Sequence, residues 1–173
     1  ACGAQVRERL RHFAGRAAMD IRGLGAAVVD QIVDRLGVTT PDAIYRLTAE
    51  QLAPLAMETD ARGVERTFGP KNAANLVAAI AESRDAGLAR VLAALGVPRL
   101  GQKLAADLSA RFGSWPALRA FAQAYLAGDE AAVLAVRKKL KKADRERQAA
   151  LAVVPIADLD ETTAGPVFTV LSG

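Results

Sequence analysis

The feature that most constrains this fold is a short glycine-containing turn followed at once by an amphipathic helix. In its first copy, Gly23, Leu24 and Gly25 follow Arg22 and precede a run of apolar residues at helical spacing. Two glycines around one apolar residue let the backbone turn tightly and approach another molecule closely, because neither carries a Cβ. The amides of Gly25 and of the next helix's first turn then point outward, where they form a site for a phosphate oxygen.

An apolar residue between two turn positions occurs three more times, so the turn is an internal repeat. The second copy places a proline at the favoured first helical position and has a threonine, Thr67, in place of its first glycine. The fourth copy has lost both glycines. The later copies contain Phe68, Gly69, Pro70 and Lys71; then Arg99, Leu100, Gly101 and Lys103; and last Asp158, Leu159, Asp160 and Glu161.

Nothing in these turns is suited to reading base edges, so the first three copies predict sequence-independent contact with a nucleic-acid backbone. Lys71 and Lys103 each stand two residues beyond the turn glycine, where a cation reinforces an amide contact with phosphate. The fourth copy instead carries three carboxylates, which would repel a phosphate backbone. We expect it to serve as the structural, pseudo-symmetric counterpart of the third copy.

The rest of the sequence predicts an all-α fold. Hydrophobic residues make up 51% of the chain but aromatic residues only 5%, and alanine and leucine recur at helical spacing. Helices are predicted over residues 3–14, from the first turn to Gly37, after the N-cap Thr48, and on both sides of Gly113 and the N-cap Ser114. Residues 58–66 are predicted to be a surface loop insertion, and residues 129–151 a charged helical stretch.

The excess of 23 Lys and Arg over 19 Asp and Glu favours a polyanionic partner. A single cysteine, Cys2, fits a reducing compartment, and neither a signal peptide nor an apolar run of about 20 residues is present. These features predict a cytoplasmic, nucleoid-associated protein without a membrane partner. Because Cys2 follows no methionine, we expect the chain to be a piece of a longer polypeptide.

Two charged segments leave their role open. Arg7, Arg9 and Arg11 on the first helix suit either a solvated face or a phosphate-facing one. The basic run that begins at Arg137 is interleaved with acids, which is typical of a solvated helix face, and direct DNA contact is the alternative. Trp115 is predicted to be a packing residue at a helix start.

The repeated turn resembles the helix-hairpin-helix motif of proteins that grip the DNA backbone across the minor groove. A wider set of segments resembles the zinc-finger exit and hairpin region of bacterial NAD-dependent DNA ligases. The likeness covers about residues 1–121 and is poor beyond them. It is carried by Cys2-Gly3-Ala4-Gln5, Leu10-Arg11-His12-Phe13-Ala14, Ala18-Met19-Asp20-Ile21-Arg22-Gly23-Leu24-Gly25, Asp30-Gln31-Ile32-Val33, Thr40-Pro41-Asp42, Tyr45-Arg46-Leu47, Phe68-Gly69-Pro70-Lys71 and Leu88-Ala89-Arg90-Val91-Leu92-Ala93-Ala94-Leu95-Gly96-Val97.

The resemblance implies tandem helix-hairpin-helix repeats, with four hairpins paired as two pseudo-dyad units. Residues 1–15 would end the zinc-finger region, 16–87 would form the first hairpin pair, and 88–173 the second pair with a basic insertion and a degenerate last hairpin. The implied DNA-binding residues are those of the first three turns: Arg22, Gly23, Leu24, Gly25, Phe68, Gly69, Lys71, Arg99, Leu100, Gly101 and Lys103.

The same resemblance implies that the partners are nicked double-stranded DNA and the other domains of one ligase polypeptide. The parent enzyme would use NAD, Mg and a structural Zn, of which Cys2 would be the last of four cysteine ligands. The other three cysteines and the lysine motif of the adenylation domain are absent here. The fragment is therefore expected to hold DNA around a nick, with no cofactor and no catalytic residue of its own.

Two other functions are compatible with the same sequence. One is a helix-hairpin-helix module of another repair or junction-binding protein, which would favour branched DNA over a nicked duplex. The second is a protein-protein scaffold with vestigial hairpins, which would not bind DNA at low salt.

Overall fold

The computed structural model describes residues 3–59, 63, 65–137, 139–156 and 158–172. Within these ranges the regular structure consists of eleven α-helices and two short β-strands, so the all-α prediction is confirmed. The chain forms two compact units, the first comprising residues 1–87 and 94–96 and the second residues 88–93 and 97–173. Cys2, the expected zinc ligand, lies outside the described residues.

The first unit contains five helices and both strands. Its helix α2 forms because Val28, Val29 and Ile32 recur at helical spacing and are buried together. It ends at Gly37, whose left-handed backbone (φ 66°) lets its amide bond the Ile32 carbonyl. The elements in order are α1 (Gly3–Ala14), α2 (Ala26–Leu36), α3 (Pro41–Ile44), α4 (Ala49–Leu52), β1 (Ala56–Thr59), β2 (Glu65–Thr67) and α5 (Pro70–Ser83).

Arginines of α1 bind acidic residues of α2. Arg7 contacts both Asp30, at 3.2 Å, and Asp34, while Arg11 lies 2.7 Å from Asp30. Both side chains are only partly exposed, so these ion pairs fasten the helix before the first turn to the helix after it. The structure thus assigns Arg7 and Arg11 to helix packing rather than to a free phosphate-facing row.

The segment between α4 and α5 differs from the predicted surface loop. Residues 56–59 and 65–67 pair as an antiparallel ribbon, in which Ala56 lies opposite Thr67 and Thr59 opposite Glu65. Two main-chain bonds secure its base, from the Phe68 amide to the Leu55 carbonyl (2.8 Å) and from the Gly69 amide to the Ala53 carbonyl (3.0 Å). The segment is therefore an ordered extension of the second turn at its base, while residues 60–62 and 64 are outside the described ranges.

The second unit has a core of apolar side chains centred on Phe168, which is fully buried. Its ring packs at 5.5 Å from Phe121 and 5.2 Å from Tyr125, and Trp115 packs at the edge of the same core. The predicted cap Ser114 accepts a bond from the Ala117 amide at 3.4 Å. The helices are α6 (Leu88–Ala94), α7 (Gln102–Phe112), α8 (Trp115–Leu126), α9 (Glu130–Val136), α10 (Lys142–Ala150) and α11 (Glu161–Ser172).

The stretch 129–151 is two helices rather than one charged helix. Helix α9 is apolar and buries Leu134, Ala135 and Val136, whereas α10 has no buried residue. The chain leaves the helix at Arg137, whose backbone is extended (ψ 115°). This break separates a core helix from a surface helix that carries the positive charge.

Candidate nucleic-acid interface

The first and third turns have the same backbone conformation. Gly23 and Arg99 occupy matching positions with positive φ angles of 89° and 70°. In each turn the next amide bonds the carbonyl three residues earlier, from Leu24 to Ile21 at 3.2 Å and from Leu100 to Val97 at 3.0 Å. A positive φ at the third residue and this hydrogen bond are typical of a type II turn.

Both turns lead directly into an uncapped helix start. Gly25 (φ −79°, ψ 176°) precedes α2 and Gly101 (φ −77°, ψ 172°) precedes α7, and neither helix has a side-chain cap. Both glycines are exposed, and a Cβ built on either meets no atom within 4 Å. Because the first amides of a helix lack intrahelical acceptors, each turn offers outward N–H groups at the positive end of an 11-residue helix.

The apolar residue in each turn supports this geometry from inside. Leu24, Phe68 and Leu100 are 6%, 9% and 5% exposed, so their side chains belong to the core. Among the residues expected to bind DNA, these three are therefore restricted to backbone contacts. Arg22, Lys71, Arg99 and Lys103 are exposed, as expected for residues that meet a ligand.

The second turn offers fewer free donors than the first. The Gly69 amide is bonded to Ala53, Pro70 has no N–H, and the Asn72 side chain donates to the Phe68 carbonyl at 2.7 Å. Gly69 also has a φ of 83°, which a residue with a Cβ rarely adopts. The outward donors of this turn are thus the backbone amides after Pro70 and the ammonium of Lys71.

The first and second turns lie together in the first unit. A Cβ at Gly23 would stand 3.7 Å from the Leu76 side chain of α5. The surface between turn and helix is a shallow groove lined on its polar side by Arg22, Asn72, Asn75 and Glu82. The first unit therefore places one uncapped helix start, one lysine-bearing helix start and an arginine on neighbouring surfaces.

The fourth turn shares one backbone feature with the third, a positive φ before its buried apolar residue, but its own helix start is capped. Asp158 has a positive φ of 59°, and Leu159 is fully buried. The Asp160 carboxylate accepts bonds from the Thr163 amide at 3.0 Å and the Thr162 hydroxyl at 2.7 Å. Asp160 therefore caps α11, because its side chain accepts a hydrogen bond from a first-turn amide. The corresponding amides of α2 and α7 have no side-chain acceptor.

Both cations of the third turn are bonded to the fourth. Lys103 forms an ion pair with Asp158, whose hydrogen bond and charge raise the pKa of Lys103. The Arg99 guanidinium donates to the Thr162 carbonyl at 3.0 Å. That carbonyl has no helical donor because Pro166, four residues on, lacks an N–H. The sequence alone did not indicate this pairing.

The described residues do not contain a group of three or more His, Cys, Asp or Glu side chains placed to hold a metal ion. The chain also has one cysteine only, so its own residues do not fit the zinc site that the resemblance implies.

Within the described ranges, no helix is long and apolar enough to cross a membrane. Comparison with models of known protein families finds no match for this chain.

Proposed function

We propose that this chain binds duplex DNA through the phosphate backbone, on the minor-groove side and without sequence preference. One observation carries the proposal: the same type II turn, followed by an exposed glycine and an uncapped helix start, occurs at residues 21–25 and again at 97–101. Outward amides at a helix N-terminus bind phosphate, and neither turn presents a side chain suited to base readout beyond one arginine.

The arrangement of the turns supports tandem helix-hairpin-helix repeats paired two by two. In the first unit, turns one and two meet at Gly23 and Leu76. In the second unit, turns three and four meet through Lys103 and Asp158. In each pair one turn keeps open amides and the other has some of its amides occupied, so the members of a pair contribute unequally to DNA binding.

In this proposal the chain is the DNA-clamping part of an NAD-dependent DNA ligase that seals nicks in replication and repair. The fragment holds the duplex around the nick, while NAD, Mg and the structural Zn act in the parent's other domains. The support is the likeness of residues 1–121 to that family together with the two open turns. The lysine motif that activates the nucleotide in the adenylation domain of that family is missing from this sequence.

The test introduces a Cβ at the two open helix starts. Gly25→Val and Gly101→Val should each weaken binding of a nicked duplex about tenfold or more, because the new side chain projects where a phosphate would sit. The fold should survive, because both positions have ordinary φ angles and open space at the Cβ. Fluorescence anisotropy measures the affinity and circular dichroism the helix content.

The matched control is Gly165→Ala, since a Cβ there also meets nothing within 4 Å but lies inside α11. It should leave DNA affinity unchanged. Binding that is insensitive to both valine variants would contradict backbone contact at the turns. Tighter binding of a four-way junction than of a nicked duplex would favour another repair module, and no binding at low salt would favour a scaffold.

A further inference from the structure

We infer that the basic segment from Arg137 to Arg147 is a second phosphate-binding surface, which extends the third turn along the same duplex. The inference rests on the proposed DNA binding and adds to it a surface that the turns do not contain. This segment holds seven basic and two acidic residues, the densest positive charge in the chain. A basic run by itself is compatible with a merely solvated face, and the bonds that these side chains make distinguish the two cases.

The two arginines at the ends of the segment form ion pairs within the protein. Arg137 lies 3.2 Å from Asp144 and 3.4 Å from Glu161, and Arg147 lies 2.8 Å from Glu130. The Asp144 carboxylate also accepts the Lys141 amide at 3.3 Å. Asp144, Glu161 and Glu130 therefore hold Arg137 and Arg147 in place at the end of α9 and within α10.

The cations between these anchors remain exposed. Lys139, Lys141 and Arg145 are all exposed, and no carboxylate of the described residues lies within ion-pair distance of them. Lys142 approaches Glu146 only at 4.0 Å. Lys139, Lys141 and Arg145 thus carry positive charge that no carboxylate of the described residues neutralises, and such cations release counterions when they bind a polyphosphate.

The segment lies beside the third turn within the second unit. Arg137 contacts Glu161, Arg99 contacts Thr162, and Lys103 contacts Asp158. The partners of Arg137 and Lys103 are only three residues apart, a span of at most about 11 Å along the chain. This corresponds to roughly three base pairs of rise at 3.4 Å each. A duplex on the third turn therefore runs within reach of the basic segment.

The carboxylates of the fourth turn are already bonded within the protein. Asp158 and Glu161 are paired with Lys103 and Arg137, and Asp160 caps α11. Asp158, Asp160 and Glu161 thus each have a partner within the protein. The positive charge that faces solvent in this region comes from Lys139, Lys141, Lys142 and Arg145, and the partner that fits it is a continuous phosphate backbone.

The experiment compares two double variants of the full chain on a duplex of about 20 base pairs. Lys139→Gln/Lys141→Gln removes two exposed cations of the segment. Arg35→Gln/Arg46→Gln removes the same net charge at exposed positions in the first unit, at the C-terminal end of α2 and after α3. Anisotropy titrations between low and moderate salt give the affinity and the slope of log K against log salt.

If each lysine neutralises one phosphate, the slope should become shallower by about 1.8, and affinity near 0.1 M salt should fall between roughly tenfold and sixtyfold. The control should leave the slope unchanged and should change the affinity by no more than about twofold. Lys139→Arg/Lys141→Arg, which keeps the charge, should bind like the unmodified chain, so a loss caused by misfolding is separated from a loss of charge.

Three outcomes would overturn the inference. If the segment variant and the unmodified chain have equal slopes of log K against log salt, while Gly25→Val still loses binding, the segment does not bind phosphate and the proposed function is unaffected. No binding by the unmodified chain would refute both. Loss of binding to phosphatidylserine vesicles, with DNA affinity unchanged, would assign the segment to a membrane surface instead.

Discussion

Replacing Asp158 with asparagine should make the chain bind DNA more tightly. In the structure Asp158 holds the Lys103 ammonium, which otherwise stands two residues beyond the open glycine of the third turn. A phosphate arriving at that turn must displace the carboxylate or forgo the lysine. Asparagine keeps the shape and tolerates the positive φ of 59° at this position, so the substitution changes the charge alone.

The size of the effect follows from one added phosphate contact. If Lys103 is freed to neutralise a phosphate, the slope of log K against log salt should steepen by about 0.9, and affinity near 0.1 M salt should rise by up to about eightfold. The pKa of Lys103 is raised by Asp158, so the pair persists at neutral pH and is lost only as pH rises through that raised value. The variant should lower this pKa towards its ordinary range, as NMR of the ammonium would show.

A double-mutant cycle completes the assay. In the unmodified chain Lys103→Gln should lower DNA affinity only slightly, because Asp158 already pairs with the lysine. In the Asp158→Asn background the same substitution should lower DNA affinity close to eightfold. Asp107→Asn is the control, because Asp107 lies one turn further along α7 and acts on Lys103 only through its charge. A large loss from Lys103→Gln alone, with Asp158→Asn neutral, would refute the idea that the fourth turn masks the third.

Three further results are expected. Phe168→Ala should lower the free energy of unfolding by about 3–5 kcal/mol in a urea titration, because the ring is fully buried; a cost below about 1 kcal/mol would contradict the core assignment. Thr48→Ala should cost about 1 kcal/mol, because it removes the bond from the Gln51 amide in the capping box of α4. Incubation with NAD should leave the mass of the chain unchanged and nicked DNA unsealed. An AMP adduct on a lysine would contradict the proposal that the chain is a ligase fragment without the adenylation domain.

The turns and helix caps were predictable where the signal is short-range. The turn glycines, the N-caps Thr48 and Ser114 and the C-cap at Gly37 all appear where the sequence placed them. Their effect depends on φ preferences and on hydrogen bonds to residues two to five positions away, which the local sequence specifies. The apolar stripes of α2 and α5 follow in the same way from helical spacing.

The sequence was misleading where pairing partners are distant or elements are short. The ribbon at residues 56–67 consists of strands of four and three residues, which depend on cross-strand bonds rather than on a local pattern. The break between α9 and α10 likewise depends on Arg137 reaching Asp144 and Glu161. A run of charges at helical spacing contains no information about which acid each arginine will meet.

The sequence by itself determined most of the helices and the first and third turns with their open amides, because each is built from neighbours along the chain. Tertiary structure alone decided which cations remain available to a ligand. Arg7 is joined to Asp34 across 27 residues, Arg99 to Thr162 across 63, and Lys103 to Asp158. An ion pair forms between whichever charges folding brings within a few ångströms, so the distribution of free charge appears only once the helices have packed.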